Sequence, residues 1–419
     1  MKRLYITLYL TLFILSAAAQ NAVERVADAI SRQDILWIGD HLTTLQDSIP
    51  ESLSLMAKAL WASQTNRYHQ SNKAIEKLLN NHAHQIGQDA VGAFYSLLIT
   101  NLNNEGNYSE AARLTAGNSQ NRDVHRLFSA MANKKALQIS KPNRDIVIPI
   151  TRSTLNRGGE HIKIPVTIGR NRELFIFDTG SMKYNVVTES CAKKHKFKPL
   201  FDSLPTAGVG GVGYSRVVTL PKIKIGKITI KNPVFIVVPD NDIAVDTLTN
   251  FKLEYVLGTD IMEALKEVRF DFAANTMTIP KEQSPKSDNY TPLTHSDNYY
   301  IYPTINGSKL QMHFDTGAIS SAMYNRYMVE YGDRINLIGS TRSAHAHGFG
   351  GTTSYTVQTV ESLNIQLGDQ HITVNNIDVT TSDHILPIQR NEYGSLATDI
   401  LLQFNHITIN FKQMFLIAK

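Results

Sequence analysis

The chain reads Leu174-Phe175-Ile176-Phe177-Asp178-Thr179-Gly180 in its middle and Leu310-Gln311-Met312-His313-Phe314-Asp315-Thr316-Gly317 further on. Each segment follows a strand-like run that ends in a turn, residues 162–169 in the first case and 300–307 in the second. The second turn contains Asn306-Gly307, a dipeptide typical of two-residue β-hairpin loops. Each copy therefore predicts a β-hairpin whose second strand ends at Asp-Thr-Gly.

The two copies continue to match downstream, in the same order. The corresponding pairs are 223–226 with 365–368, 228–232 with 372–376, 256–262 with 395–401, and 268–272 with 407–411. Short β-branched runs separated by Gly, Asn and Pro are typical of strands. The sequence therefore predicts a duplicated β unit, with one lobe at 145–280, a linker at 281–298 and a second lobe at 299–419.

Two equivalent carboxylates suit a particular chemistry. Like charges at close range do not both ionise easily, so two neighbouring carboxyl groups share one proton. One of them can then take a proton from water while the other donates a proton to the substrate. A duplicated fold brings two such groups together across a pseudo-twofold axis. Asp178 and Asp315 are therefore the predicted catalytic residues.

With Phe177-Asp178-Thr179-Gly180-Ser181 and Phe314-Asp315-Thr316-Gly317-Ala318, the region resembles the aspartic proteases of the retropepsin and pepsin type. Val256-Leu257-Gly258 is similar to the apolar-apolar-Gly element that packs behind the catalytic loop in that family. The resemblance covers roughly residues 145–419. It implies an all-β bilobal region, a peptide or protein substrate held between the lobes, and water as the co-reactant. We expect no cofactor and no metal.

The neighbours of the aspartates have predicted supporting roles. Glycine lets the backbone turn sharply, so its N–H group can reach the carboxylate, and the threonine hydroxyls can tie the two loops across the axis. The predicted supporting residues are Thr179, Gly180, Ser181, Thr316, Gly317 and Ala318.

The copies also differ. Ala397 stands where the first copy has Gly258, and Ala318 stands where it has Ser181. A hydroxyl that donates to a carboxylate favours its ionised form. We therefore expect Asp178 to be the base of the pair and Asp315 the acid.

Two glycine-rich segments, residues 208–214 and 348–355, lie where a substrate-covering flap is expected. Glycine there would give a mobile hairpin tip that closes over the peptide. For the two tyrosines, an ordinary strand position is an equal alternative. The candidate flap residues are Gly210, Gly211, Tyr214, Gly350, Gly351 and Tyr355.

Residues 20–140 read as helices, which makes the overall class α+β. Gly106-Asn107-Tyr108-Ser109-Glu110-Ala111 resembles the turn of a tetratricopeptide repeat. An irregular helical bundle is an equal alternative. Helical hairpin arrays bind proteins, so this domain is a candidate site for a protein partner.

Residues 1–19 predict a signal peptide: Lys2 and Arg3 precede a short apolar run that ends at Ala17-Ala18-Ala19. We expect export to the periplasm or the extracellular space, without a stable membrane anchor. The net charge of +5 is spread along the chain, so we expect no nucleic-acid partner. The catalytic region is predicted to act as a monomer.

Other chemical groups receive structural interpretations. Cys191 is the one cysteine, and a short helix with a packed thiol explains it. His345 and His347 are interpreted as exposed flap residues, and His313 as a packed neighbour of the motif. Helix N-capping is the predicted role of the two repeated aspartates Asp260 and Asp399.

Two other functions compete with an active protease. One is a protease-like module that binds peptides without cleaving them. The other is a helical scaffold or adaptor in which the β region is subordinate.

Overall fold

The computed structural model describes residues 17–117, 122–154, 159–181, 183–208, 211–240, 253–348, 351–381 and 391–419. Most of the predicted signal peptide therefore lies outside the described residues. The chain divides into two compact units. One comprises Met1–Asn133 with Thr294–Ser296, and the other comprises Lys134–Leu293 with Asp297–Lys419.

The first unit is helical. Gly87 adopts φ 75° inside the longest helix, so that helix consists of two segments joined at a kink. Gly106 ends the same helix in the left-handed region, and the side chain of Asn107 caps the next helix by accepting from the Glu110 N–H. The predicted turn at residues 106–111 is therefore a helix-to-helix turn, while the likeness to a tetratricopeptide repeat stays a prediction. The helices are α1 (Ala17–Arg32), α2 (Ile35–Leu45), α3 (Glu51–Gln64), α4 (Tyr68–Glu105), α5 (Tyr108–Thr115) and α6 (Arg122–Met131).

A buried polar network fixes how α3 packs on α4. The Asn101 amide accepts a 2.7 Å hydrogen bond from the Ser63 hydroxyl and donates to Ser71 and Asn72, at 2.9 Å each. Because buried polar groups are costly when unpaired, only one register of the two helices satisfies this set.

The second unit is rich in β-structure, and its described residues include four short α-helices, α7 (Glu189–Lys194), α8 (Thr259–Leu265), α9 (Asn325–Tyr331) and α10 (Thr398–Leu401). The strands up to the predicted linker are β1 (Gln138–Ser140), β2 (Ile146–Pro149), β3 (Thr151–Thr154), β4 (Glu160–Ile168), β5 (Asn171–Phe177), β6 (Asn185–Thr188), β7 (Lys198–Gly208), β8 (Gly211–Thr219), β9 (Lys222–Ile225), β10 (Ile228–Lys231), β11 (Val234–Val238), β12 (Tyr255–Leu257), β13 (Glu267–Asp271) and β14 (Thr276–Ile279). The later strands are β15 (Thr291–His295), β16 (Tyr299–Ile301), β17 (Thr304–Ile305), β18 (Ser308–Lys309), β19 (Met312–Phe314), β20 (Ala322–Met323), β21 (Leu337–Gly348), β22 (Gly351–Leu367), β23 (Gln370–Thr380), β24 (Gly394–Leu396), β25 (His406–Asn410) and β26 (Phe415–Ala418).

These strands form two large mixed sheets, so the predicted α+β class is confirmed. Among the described residues, the first sheet has the order β1-β10-β9-β4-β5-β12-β6-β11-β8-β7, with β3 paired to β4. The second has the order β18-β17-β22-β23-β20-β24-β19-β16-β15-β26-β25-β13-β14-β2, with β21 paired to β22.

The second sheet takes strands from both copies. Strand β13 of the first copy pairs antiparallel with β25 of the second, with Val268 opposite Ile409. Strands β14 and β2, also from the first copy, extend this sheet further. Backbone hydrogen bonds therefore join the two copies directly.

An aromatic core supports the strand that leads to the first Asp-Thr-Gly. The Phe177 ring is fully buried and meets Phe270 edge-on, with centroids 5.3 Å apart, and Phe411 of the second copy at 6.5 Å. Burying one such ring contributes about 2 kcal/mol. Residues of both copies thus hold the end of β5 in place.

Candidate active site

Asp178 and Asp315 occupy equivalent places in the two sheets. Each follows a buried strand, β5 or β19, that pairs in parallel with the strand before a short helix: Phe177 lies opposite Leu257, and Phe314 opposite Leu396. Hydrogen bonds along these central strands fix the direction in which the chain leaves them. The two loops therefore start from matching, rigid positions.

Hydroxyl groups tie the two loops together symmetrically. The Thr316 hydroxyl accepts from the Thr179 N–H at 3.0 Å and donates to the Phe177 carbonyl at 2.7 Å. The Thr179 hydroxyl accepts from the Thr316 N–H at 3.0 Å and donates to the Phe314 carbonyl at 2.7 Å. Both threonines are fully buried. Each hydroxyl is thus used as donor and acceptor across the interface between the copies.

Backbone N–H groups orient each carboxylate. Asp178 Oδ1 accepts from the Gly180 N–H at 2.9 Å and also interacts with the backbone of Ser181. Asp315 Oδ1 accepts from Gly317 at 2.9 Å and from Ala318 at 3.0 Å. The backbone donors of the two aspartates therefore match.

The glycines also clear space for the opposite carboxylate. A Cβ atom added to Gly180 would lie 2.4 Å from Cγ of Asp315, and one added to Gly317 would lie 2.2 Å from Cγ of Asp178. No side chain fits at such distances. The sequence predicts only a sharp turn and a hydrogen bond for these glycines, whereas the structure shows that they also let the two carboxyl groups approach each other.

Asp178 and Asp315 form a coupled pair. Burial, the charge of Asp315 and a side-chain hydrogen bond to Asp315 raise the pKa of Asp178 well above its ordinary value. The backbone donors at Gly180 and Ser181 oppose this rise and are outweighed. Burial and the neighbouring carboxyl therefore favour a proton on the pair, and the raised pKa of Asp178 argues against the expectation that Asp178 is the more readily ionised partner.

The loop ends are held differently in the two copies. In the first, the Gly258 N–H donates to Asn185 Oδ1 at 2.9 Å, and a Cβ on Gly258 would lie 2.5 Å from the Tyr184 carbonyl carbon. In the second, the Ala397 N–H donates to the Ser321 hydroxyl at 2.8 Å, and the alanine methyl is fully buried. The second copy thus combines a shorter side chain, Ser321 in place of Asn185, with an extra methyl group on Ala397.

The predicted capping roles of Asp260 and Asp399 are wrong. The N-cap residues of α8 and α10 are Gly258 and Ala397, and each aspartate is the second residue of its helix. Asp399 accepts from the Ser321 N–H at 2.8 Å and from its hydroxyl at 2.6 Å. Burial raises the pKa of Asp260 to about 7, partly offset by the charge of Lys183. In the second copy, Asp399 therefore holds the loop end at Ser321.

Both predicted flap segments form hairpin ends. Gly208 of β7 pairs with Gly211 of β8, and Gly348 of β21 pairs with Gly351 of β22. Gly210 and Gly350 lie outside the described residues. Tyr214 lies opposite Pro205 and is 72% exposed, and Tyr355 lies opposite Ala344 and is half-buried.

The sequence interpretation missed one group at the site, His161 near the start of β4. Its side chain is buried and has a hydrogen bond to the backbone of Gly317. Burial and the charge of Lys163 lower its pKa to about 4, while Asp315 acts in the opposite direction. In the sequence, His161 is recognisable only as a single histidine beside an apolar run. Its partner, Gly317, lies in the other copy.

The other histidines and the cysteine, which the sequence predicts to have structural roles, have the following surroundings. His345 is exposed on β21, with Nδ1 2.9 Å from the Ser354 hydroxyl, while the side chain of His347 is outside the described atoms. The His313 ring packs 6.3 Å from Tyr300, and Cys191 is buried in α7 as predicted. Within the described ranges, no group of three or more His, Cys, Asp or Glu side chains is arranged to hold a metal ion.

Comparison with known families matches part of the second unit. Residues 164–261, from β4 through the first Asp-Thr-Gly to the start of α8, match the model of the family described as Aspartyl protease. No curated protein gives a significant match. None of the described helices has both the length and the apolar character needed to cross a bilayer. The chain therefore contains an aspartyl protease domain of the retropepsin-like kind at residues 164–261.

Proposed function

We propose that the protein is an aspartic endopeptidase in which Asp178 and Asp315 act together on one water molecule. The observation that carries the proposal is the close approach of the two carboxyl groups, each beside the glycine of the other copy. The threonine hydrogen bonds that lock the loops support it further. The family match covers the first motif, and the duplication extends the argument to the second.

In the first step, Asp315 is ionised and Asp178 carries the proton. Asp315 removes a proton from the water as its oxygen attacks the peptide carbonyl carbon. Asp178 gives its proton to the carbonyl oxygen, and a neutral tetrahedral diol results. The raised pKa of Asp178 supports this division of roles.

In the second step, the proton that Asp315 gained moves to the amide nitrogen. The carbon–nitrogen bond breaks, and Asp178 takes a proton back from one hydroxyl of the diol. The products are a carboxylic acid and an amine, and the pair is left with one proton, as at the start. Water is consumed, so atoms and charges balance without a cofactor.

The two glycine-tipped hairpins are proposed to cover an extended peptide. The exposed Tyr214 side chain on the first hairpin is then available for a substrate side chain. Export through residues 1–19 and recruitment of a protein partner by the helical unit also remain proposals.

The test uses the chain from residue 20 onward and a peptide library with mass-spectrometric readout. We expect the wild type to cleave internal bonds and D178N to reduce the rate by about 10³-fold or more. Both proteins should melt cooperatively, and D178N should be no less stable than the wild type. Binding of library peptides without cleavage by the wild type would contradict the enzyme and support the peptide-binding module.

A further inference from the structure

The segment that leads into β4 lies directly on the second catalytic loop. A Cβ atom added to Gly159 would lie 1.9 Å from the Ile319 carbonyl oxygen. Ile319 is four residues beyond Asp315. Only glycine allows such an approach, so the start of β4 is placed against the loop of the other copy by backbone contact.

His161, two residues later, continues this contact with a side chain. It lies opposite Ser153 of β3, is 7% exposed, and has a hydrogen bond to the backbone of Gly317. Asp315 is within electrostatic reach of the imidazole. One side chain of the first copy therefore touches the glycine that lies beside both carboxyl groups.

The second copy has a different residue at this position. Lys163 lies opposite Ile176, and Tyr300 lies opposite His313; Ile176 and His313 each precede an aspartate of the pair by two residues. This register makes Asn298 the counterpart of His161. An asparagine carries no charge at any pH, so the copies differ beside the pair.

We propose that His161 is a positioning residue that holds the second catalytic loop through Gly317 and stabilises negative charge on the Asp315 side chain. The inference rests on the proposed function, because it assigns an asymmetry to the same pair. Within the described residues, the charged groups that act on His161 are Lys163 on its own strand and Asp315 on the loop that it touches.

The sign of the pH effect follows from these contacts. Near and below pH 4 the imidazole gains a proton, and the resulting cation stabilises the carboxylate of Asp315. The acid limb of kcat/KM therefore lies at lower pH than it would without the imidazole. Above this range the neutral imidazole keeps its hydrogen bond to Gly317, so kcat is maintained.

The first experiment compares H161Q and H161L with H406Q, which removes an exposed histidine on β25. H161L should lose about tenfold in kcat with little change in KM, because the loop loses its hydrogen bond. H161Q should recover most of kcat but shift the acid limb upward by about one pH unit. Wild-type pH profiles in both variants would overturn the proposal.

The second experiment does not depend on activity. NMR titration of His161 in the intact protein should show a pKa lower in D315N than in the wild type, by about half a unit or more. H406Q should leave the value unchanged. An unchanged His161 pKa in D315N would refute the coupling, whereas absent cleavage with the expected shift would refute the proposed function alone.

Discussion

The two copies of the duplicated unit build the same site from strands of different continuity. In the second copy, β22 (Gly351–Leu367) runs through 17 residues, whereas Leu220-Pro221 separates β8 from β9 in the first. The reverse holds upstream, where β4 (Glu160–Ile168) is unbroken and Pro303 separates β16 from β17. Proline lacks an N–H for the ladder, and Pro221 and Pro303 each lie at a break. The unbroken β4 nevertheless accommodates Pro165, opposite Leu174.

The comparison shows which features the site requires. Strand continuity varies, but the threonine hydroxyl exchange and the glycines beside the opposite carboxylate are the same in both copies. The copies differ at the loop ends, where the first has Asn185 with Gly258 and the second has Ser321 with Ala397. They also differ beside the pair, where His161 of the first copy corresponds to Asn298 of the second. The centre is symmetric, and the asymmetry comes from its surroundings.

The largest effect on stability is expected at the loop end. G258A would force a methyl group to within 2.5 Å of the Tyr184 backbone and should cost about 3 kcal/mol of unfolding free energy. The matched change A397G removes a tolerated methyl and should cost only about 1 kcal/mol. Urea denaturation of the two variants measures both values, and equal costs would show that the copies are alike here.

The threonine exchange is expected to respond equally in the two copies. T179A leaves the Thr316 N–H and the Phe314 carbonyl without their partner, and T316A does the same to the Thr179 N–H and the Phe177 carbonyl. Each change should cost about 2 kcal/mol, because buried polar groups lose their hydrogen bonds. Thermal melts test this, with T179S and T316S as controls that keep the hydroxyl. A large difference between T179A and T316A would argue against symmetric ties.

A smaller effect concerns the pH dependence of stability. Because the pKa of Asp178 is raised, the folded protein keeps a proton that the unfolded chain has lost above pH about 4, so this group lowers stability as the pH rises. D178N removes the penalty and should raise Tm by about 3 °C at pH 7. At pH 3, where Asp178 is protonated in both states, the gain should be near zero. A lower Tm for D178N at pH 7 would mean that burial does not raise this pKa.

The sequence was informative where contacts are local. Asn306-Gly307 predicts a hairpin turn, and both residues adopt positive φ, 46° and 84°. The loop-end role of Asp399 and the contact of His161 with Gly317 were not predicted, because each depends on residues distant in sequence. The joining of β13 to β25 was missed for the same reason: the strands are recognisable from the sequence, but their partners are not.

The most direct test of the central claim compares D178N, D315N and the double variant in one cleavage assay. Two carboxyl groups that share one proton act as a unit, so removing either should cost about as much as removing both. We predict rates for all three that agree within about tenfold, each about 10³-fold or more below the wild type. Near wild-type cleavage by D315N, with D178N inactive, would contradict the account, because the second copy would then have no part in the chemistry.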